Sequence, residues 1–352
     1  MKIGLIGLPK SGKTTLFNLL TGANVETSRF EAGRAELHTG VARVPDDRVT
    51  RLAELFKPKK TTYTQIQFVD SAAATGASAR AAARGPDLFS SVRDCEALLA
   101  VVRDFEDPSV PVVGGVDPVR DLKTIEAELA LHDLMIVENR ATKLEKEIRV
   151  GKKEGAREHA LLTRCRDTLE AGQPLRAGSF SAEDERQLRG FQLLTRKPLL
   201  VVYNQGERGG QAPGSLGPCT LAVALKAHLE REIVALAEAE RDGFRAELGV
   251  AEDGLSLVIR SCYQLLGLIS FFTVGPDEVR AWTLGSGQRA LDAAGEIHSD
   301  LAQGFIRAEL VSYPELVEAG GWSKARERGW LRLEGRDYVV QDGDCLEIRF
   351  NK

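Results

Sequence analysis

The chain opens Met1-Lys2-Ile3-Gly4-Leu5-Ile6 and runs directly into Gly7-Leu8-Pro9-Lys10-Ser11-Gly12-Lys13-Thr14. The first stretch is a short apolar run, the pattern of a strand buried on both faces. The second matches G-x-x-x-x-G-K-[ST] at every fixed position. Lys13–Leu20 follows with Leu16, Phe17 and Leu20 at helical spacing. Strand, glycine loop and helix in that order predict a phosphate-binding loop. Glycine at 7 and 12 lets the backbone come close to a ligand. Successive N–H groups then point inward at the positive end of the helix dipole. In that geometry Lys13, the expected catalytic cation, bridges the β- and γ-phosphates, and the Thr14 hydroxyl ligates magnesium. Pro9, Lys10, Ser11, Gly12, Lys13, Thr14 and Thr15 are the nucleotide-binding residues expected of the loop. The bland alternative is a glycine turn between strand and helix without a ligand.

A magnesium site also needs a carboxylate at the end of a neighbouring strand. Gln65-Ile66-Gln67-Phe68-Val69-Asp70 offers Asp70, although an Asp after a strand also serves as a turn or helix cap. Apolar runs at Ile3–Ile6, Gln65–Val69, Ala97–Val102 and Leu199–Tyr203 alternate with helical stretches. That order predicts a doubly wound α/β sheet over residues 1–120 and 195–267. Residues 121–194 differ, being long, charged and rich in helix formers. Leu122, Ile125 and Leu129 recur at helical spacing, as do Leu144 and Ile148, and then Leu161, Leu162, Cys165 and Leu169. Gly151-Lys152-Lys153-Glu154-Gly155 interrupts them, which predicts an inserted antiparallel helical hairpin. Between Arg140 and Arg166 nine Lys+Arg face four Asp+Glu, a local net of +5. That is either a solvated coiled-coil face or an arm whose basic tip, at Lys152 and Lys153, meets phosphate backbone. Residues 268–352 alternate like short strands at Val279–Thr283, Ile306–Val311, Asp337–Val340 and Leu346–Phe350, a small α+β domain. With ten Lys+Arg against fourteen Asp+Glu it is acidic overall.

At 352 residues, 43% hydrophobic and 28% charged, the chain has the composition of an ordinary globular protein. A net charge of −4 excludes a strong nucleic-acid field from the whole molecule and leaves only local patches. Five scattered cysteines without a C-x-x-C pair speak against a disulfide framework or a zinc site. No signal-peptide pattern precedes the first strand and no apolar run reaches a membrane span, so a cytoplasmic protein without membrane contact is expected.

These residues resemble the YchF family, the Obg-like ATPases, over essentially the whole chain. Gly7–Thr14, Val44-Pro45-Asp46, Lys57-Pro58-Lys59-Lys60 and Phe68-Val69-Asp70 carry the resemblance in the first part. Gly76-Ala77-Ser78 and Phe105-Glu106-Asp107 extend it. Val279-Arg280-Ala281-Trp282-Thr283, Gly304-Phe305-Ile306-Arg307-Ala308, Gly335-Arg336-Asp337-Tyr338 and Gln341-Asp342-Gly343-Asp344 resemble the family's carboxy-terminal TGS domain, which is β-grasp-like. The resemblance implies a P-loop domain with an inserted coiled coil and a TGS domain. It also implies a monomer that associates with the ribosome or ribosomal RNA and prefers ATP to GTP. Where G-protein relatives carry Asn-Lys-x-Asp, the family has Asn-x-x-Glu, matched by Asn204-Gln205-Gly206-Glu207. On that reading Asn204, Gln205 and Glu207 face the base, and Asn204 can accept from the adenine amine.

The departures bear on hydrolysis. Arg34 stands where the family has its switch I Thr, and Asp70-Ser71-Ala72-Ala73 replaces a switch II Asp-Ile-Ala-Gly. Ala79–Arg84 replaces a glycine-rich stretch, and Pro111 occupies the place of the family's proposed catalytic His. Two readings follow: a slow Mg-dependent ATPase associated with the ribosome, or a nucleotide-gated binding module that has lost hydrolysis. A GTP-binding GTPase of the Obg class is a third. A metabolic P-loop kinase is the least supported, because no acceptor site is visible.

Overall fold

The computed structural model describes residues 1–25, 37–71, 89–112, 114–151, 155–206, 215–248 and 253–351. Arg34, Ala72, Ala73, Gly76-Ala77-Ser78, Ala79–Arg84, Lys152, Lys153 and Glu207 lie outside the described residues. In chain order the strands begin with β1 (Lys2–Ile6), β2 (Leu37–Arg43), β3 (Lys60–Thr62), β4 (Gln65–Ser71) and β5 (Ala97–Asp104). They continue with β6 (Leu199–Gln205), β7 (Ser215–Gly217), β8 (Thr220–Leu225), β9 (Leu268–Val274) and β10 (Glu278–Gly285). The last are β11 (Phe305–Ser312), β12 (Arg332–Glu334) and β13 (Asp344–Phe350). The helices used below are α1 (Lys13–Thr21), α2 (Asp47–Phe56), α3 (Pro118–Arg149), α4 (Ala156–Glu170), α5 (Ala182–Arg189) and α6 (Ala227–Ala235).

The chain divides into two compact units, Met1–Ala42 with Gln67–Ser261, and Arg43–Ile66 with Cys262–Lys352. The first is built on a seven-stranded sheet in the order β2-β4-β1-β5-β6-β8-β7. β1 pairs in parallel with β4 on one side and β5 on the other. β5, β6 and β8 continue in parallel, and β7 closes the edge antiparallel to β8. The four expected strands are there, as the buried apolar runs require. β2, β7 and β8 are additional; Thr220–Leu225 carries two alanines and announces a strand weakly. Because the chain crosses from β4 to β5 on opposite sides of β1, the carboxyl end of β1 is the topological switch point where such sheets bind ligands.

Asp117 caps α3, its side chain accepting from Arg120 N–H, and Pro118 starts the helix without wasting a donor. Ile125 and Leu129 of α3 pack on the sheet with Leu98, Val102 and Leu199. Farther along, Val137, Ala141 and Leu144 leave the sheet and form a separate core with Leu161, Leu162 and Cys165 of α4. Arg140 pairs with Glu158 at 2.8 and 2.9 Å, so the two helices run antiparallel, as the spacing of their apolar residues predicts. The return is locked at the base: buried Asp133 accepts from Leu194 N–H at 2.8 Å and from the N–H and hydroxyl of Thr195, both at 2.7 Å.

The second unit is a six-stranded sheet ordered β12-β11-β13-β9-β10-β3. β9 and β10 form an antiparallel pair, and β13 lies parallel to β9 and antiparallel to β11. One face packs Phe272, Val279 and Ala281 against Val49 and Leu52 of α2. The other packs Phe271, Leu310 and Leu346 against Ala290 and Ala294. Residues 43–66, read from sequence with the amino-terminal sheet, group with this unit, since β3 pairs in parallel with β10 and α2 covers its core. The strand expected at Asp337–Val340 is not formed. Only Val339 makes a bridge, to Arg289, and the short strand beside β11 is Arg332–Glu334. Tyr338 N–H turns back to Gly335 and Val340 N–H reaches Gln288, so the alternation belongs to a turn and not to a ladder.

Candidate phosphate-binding site

The loop at the end of β1 has the backbone that its glycines predict. Gly12 sits at φ 91°, the left-handed region that side chains avoid, and its missing Cβ would run into the Asn204 amide. A Cβ on Gly7 would lie 2.7 Å from the Val101 carbonyl oxygen and 2.9 Å from Ser11 Oγ, a buried hydroxyl without a hydrogen-bond partner among the described residues. The first N–H to donate within α1 is that of Leu16, to Gly12 O at 2.9 Å. The preceding N–H groups therefore lie at the open, positive end of the helix.

Three candidate residues converge. Lys13 Nζ forms a buried ion pair with Asp70 Oδ1, and Thr14 Oγ1 donates to Asp70 Oδ2 at 3.3 Å. Asp70 is fully buried at the end of β4, opposite Leu5 of β1. A hydroxyl and a carboxylate beside an ammonium form a hard oxygen donor set. It fits Mg2+, which takes one or two protein ligands and completes its octahedron with phosphates and water. The glycine-lined cradle fits a phosphate chain.

Asn204 and Gln205 both have protein partners at the end of β6. Asn204 is buried, its Nδ2 donating to Ser11 O at 3.0 Å and its Oδ1 accepting from Ala227 N–H at the start of α6 at 3.2 Å. Its amide braces the loop, so nothing in the described geometry supports reading of a base by its carbonyl. Gln205 Nε2 donates sideways to Asp104 Oδ2 at 2.9 Å. Pro111 offers only its carbonyl, which accepts from Lys10 Nζ at 3.0 Å. Sequence reading missed Arg103, a buried guanidinium at the end of β5 that donates from Nη1 to Lys10 O at 3.4 Å. The available signal was a pair of adjacent charges, Arg103 and Asp104, closing an otherwise apolar strand, Ala97–Asp104.

The arm's charge is more compensated than its count suggests. Arg140, Arg149, Arg157, Arg164 and Arg166 form ion pairs, and the partners Asp167, Glu170, Glu183 and Asp184 lie beyond the counted window.

A parallel strand, a glycine cradle, a buried Lys–Asp pair and a helix hydroxyl at the switch point define a P-loop nucleotide-binding protein of the doubly wound α/β class. A family model described as a 50S ribosome-binding GTPase matches residues 2–140, and YchF-GTPase_C, described as a protein of unknown function, matches 268–351. The chain is 39% identical to the "Ribosome-binding ATPase YchF" of Bacillus subtilis, with 99% of this chain and 98% of that protein covered. It is equally 39% identical to the Escherichia coli O157:H7 protein of the same name, with 99% of each covered. The Schizosaccharomyces pombe YchF GTPase structure superposes with a TM-score of 0.81 at 26% identity, covering 99% of this chain and 97% of that one. A GTP-binding protein from Pyrococcus horikoshii, 18% identical with a TM-score of 0.58 over the full length of both chains, shares the fold. The chain belongs to the YchF family.

Proposed function

We propose that this chain binds Mg·ATP at Gly7–Thr14, hydrolyses it slowly and associates with the ribosome in the cytoplasm. The observation that carries the reading is the convergence of Lys13 and Thr14, neighbours on one helix turn, on the single carboxylate of Asp70. Pro9–Thr15 would wrap the phosphates, and Thr14 and Asp70 would hold the metal. Mg2+ held there would supply positive charge against the negative phosphate chain. Lys13 would orient the phosphate chain and add electrostatic stabilisation in a site where its charge is shielded from water. The preference for ATP and the ribosome association follow the relatives' names; Asn204, Gln205 and Glu207 are the base-facing candidates. Residues 1–120 and 195–267, apart from 43–66 and 262–267, which group with the second unit, would form the nucleotide-binding domain, 121–194 the arm and 268–352 the TGS-like domain.

Mg-dependent ATP turnover that disappears in Lys13→Ala tests the enzymatic half. Turnover indifferent to that substitution would sink it. Co-sedimentation with ribosomes, with and without nucleotide, tests the other half.

The second reading, a binding module without hydrolysis, is favoured by one contact. The Pro111 carbonyl is engaged by Lys10, and the proline side chain there can neither orient water nor exchange a proton. Rapid single-turnover conversion of bound ATP to ADP would exclude it.

A further inference from the structure

The phosphate loop carries a second lysine whose placement the motif does not explain. Lys10 adopts φ 67°, a left-handed conformation uncommon for a residue with a side chain and concentrated at ligand clamps. Two contacts hold it there. From beneath, Arg103 Nη1 donates to the Lys10 carbonyl at 3.4 Å. Arg103 is itself fixed, with Nε donating to Phe105 O at 3.0 Å and the guanidinium 4.4 Å from the Phe105 ring centroid. From the side, Lys10 Nζ donates to the Pro111 carbonyl at 3.0 Å, an exposed contact. The backbone of Lys10 is thus set by a buried, rigid group. Its ammonium rests on a neutral acceptor open to water.

That asymmetry has a chemical consequence. Lys13 is buried and paired with Asp70 at the metal side of the loop, whereas Lys10 is exposed on a flexible four-carbon stem. An ammonium–phosphate hydrogen bond is charge-assisted and about twice as strong as one to a neutral carbonyl. A terminal phosphate arriving in the loop would therefore outcompete the Pro111 carbonyl. We propose that Lys10 is a second phosphate cation that distinguishes a nucleoside triphosphate from a diphosphate, leaving the Pro111 carbonyl for the terminal phosphate, and that Arg103 is the positioning residue that aims it. The inference rests on the reading of the loop as a triphosphate site. It assigns a separate role to a side chain that the loop motif leaves free to vary.

Calorimetric titration of the full chain with Mg2+ and either ADP or a non-hydrolysable ATP analogue tests it. Lys10→Met should weaken the triphosphate analogue about tenfold and leave ADP within about twofold, while Lys10→Arg keeps most of the preference. Arg103→Met should also narrow the triphosphate-to-diphosphate ratio, and Arg103→Lys, which retains a donor for the Lys10 carbonyl, should restore part of it. Equal weakening of both nucleotides in Lys10→Met would make the side chain a mere loop brace and overturn the proposal. Unchanged binding of both would overturn it as well. Lys10 is exposed, so its variants keep the test readable if those of buried Arg103 fail to fold. If the wild-type chain binds neither nucleotide, the triphosphate reading fails and this inference with it. That failure appears in the wild-type titration and not in the variants.

Discussion

The Asn204 side chain donates to the Ser11 carbonyl at 3.0 Å, joining the end of β6 to the phosphate loop. The same amide accepts from Ala227 N–H, so one residue holds two elements of the site in place. Asn204→Ala would strand a buried carbonyl and a buried N–H, at about 1–3 kcal/mol each. Because the side chain supports the loop, its loss should weaken adenine and guanine nucleotides by the same factor. Parallel titrations with Mg·ATP and Mg·GTP read this; a loss confined to ATP would mean that Asn204 reads the base.

Asp70 accepts from both Lys13 and Thr14. Asp70→Asn keeps the shape and removes the charge. Mg2+ should then enhance ATP binding much less than in the wild type, measured as the ratio of affinities with magnesium and with EDTA. An undiminished ratio would place the metal elsewhere.

Gly12→Ala adds a Cβ against the Asn204 amide at a left-handed φ of 91°. Strain of about 1–3 kcal/mol is expected, together with displacement of the loop. The variant should remain folded by circular dichroism, melt earlier and bind nucleotide poorly. Wild-type affinity would show that the cradle tolerates a side chain.

In the second unit Glu309 accepts from Arg349 Nε at 3.1 Å and Arg326 Nη2 at 3.0 Å. The Arg349 hydrogen bond leads in holding its carboxyl below the usual range. A depressed folded-state value stabilises the fold above the unfolded value of about 4.5 and ceases to do so as pH falls through the folded value. Glu309→Gln should therefore cost about 1–2 kcal/mol at pH 7, and the difference should close below about pH 4.5. Thermal melts of both proteins across that range check it. A gap independent of pH would contradict the ion-pair origin.

What could be read from sequence was local. β1, the loop and α1 are contiguous, so residue type and spacing specify them together. The arm was legible because Leu122 through Leu169 repeat at helical spacing. Pairings between distant segments were not. β3 is three residues long and finds its partner β10 more than two hundred residues later, so no window of sequence contains both. Asp337–Val340 alternates like a strand yet closes a turn, because its backbone partners are scattered over Gly335, Gln288 and Ala290. Asn204 was placed at the site on the right strand, but its contact with Ser11 was not legible, since that burial exists only once β6 and β1 share a sheet. Arg103 was hidden for the same reason.

The central claim is that Gly7–Thr14 binds a nucleoside triphosphate through Lys13. Calorimetric titration of the full chain with Mg·ATP, followed by chromatography of the recovered nucleotide, tests it most directly. The expected result is saturable binding at one site, lost in Lys13→Ala, with ADP accumulating slowly in the wild type. Absence of binding, or binding that Lys13→Ala leaves intact, would contradict it.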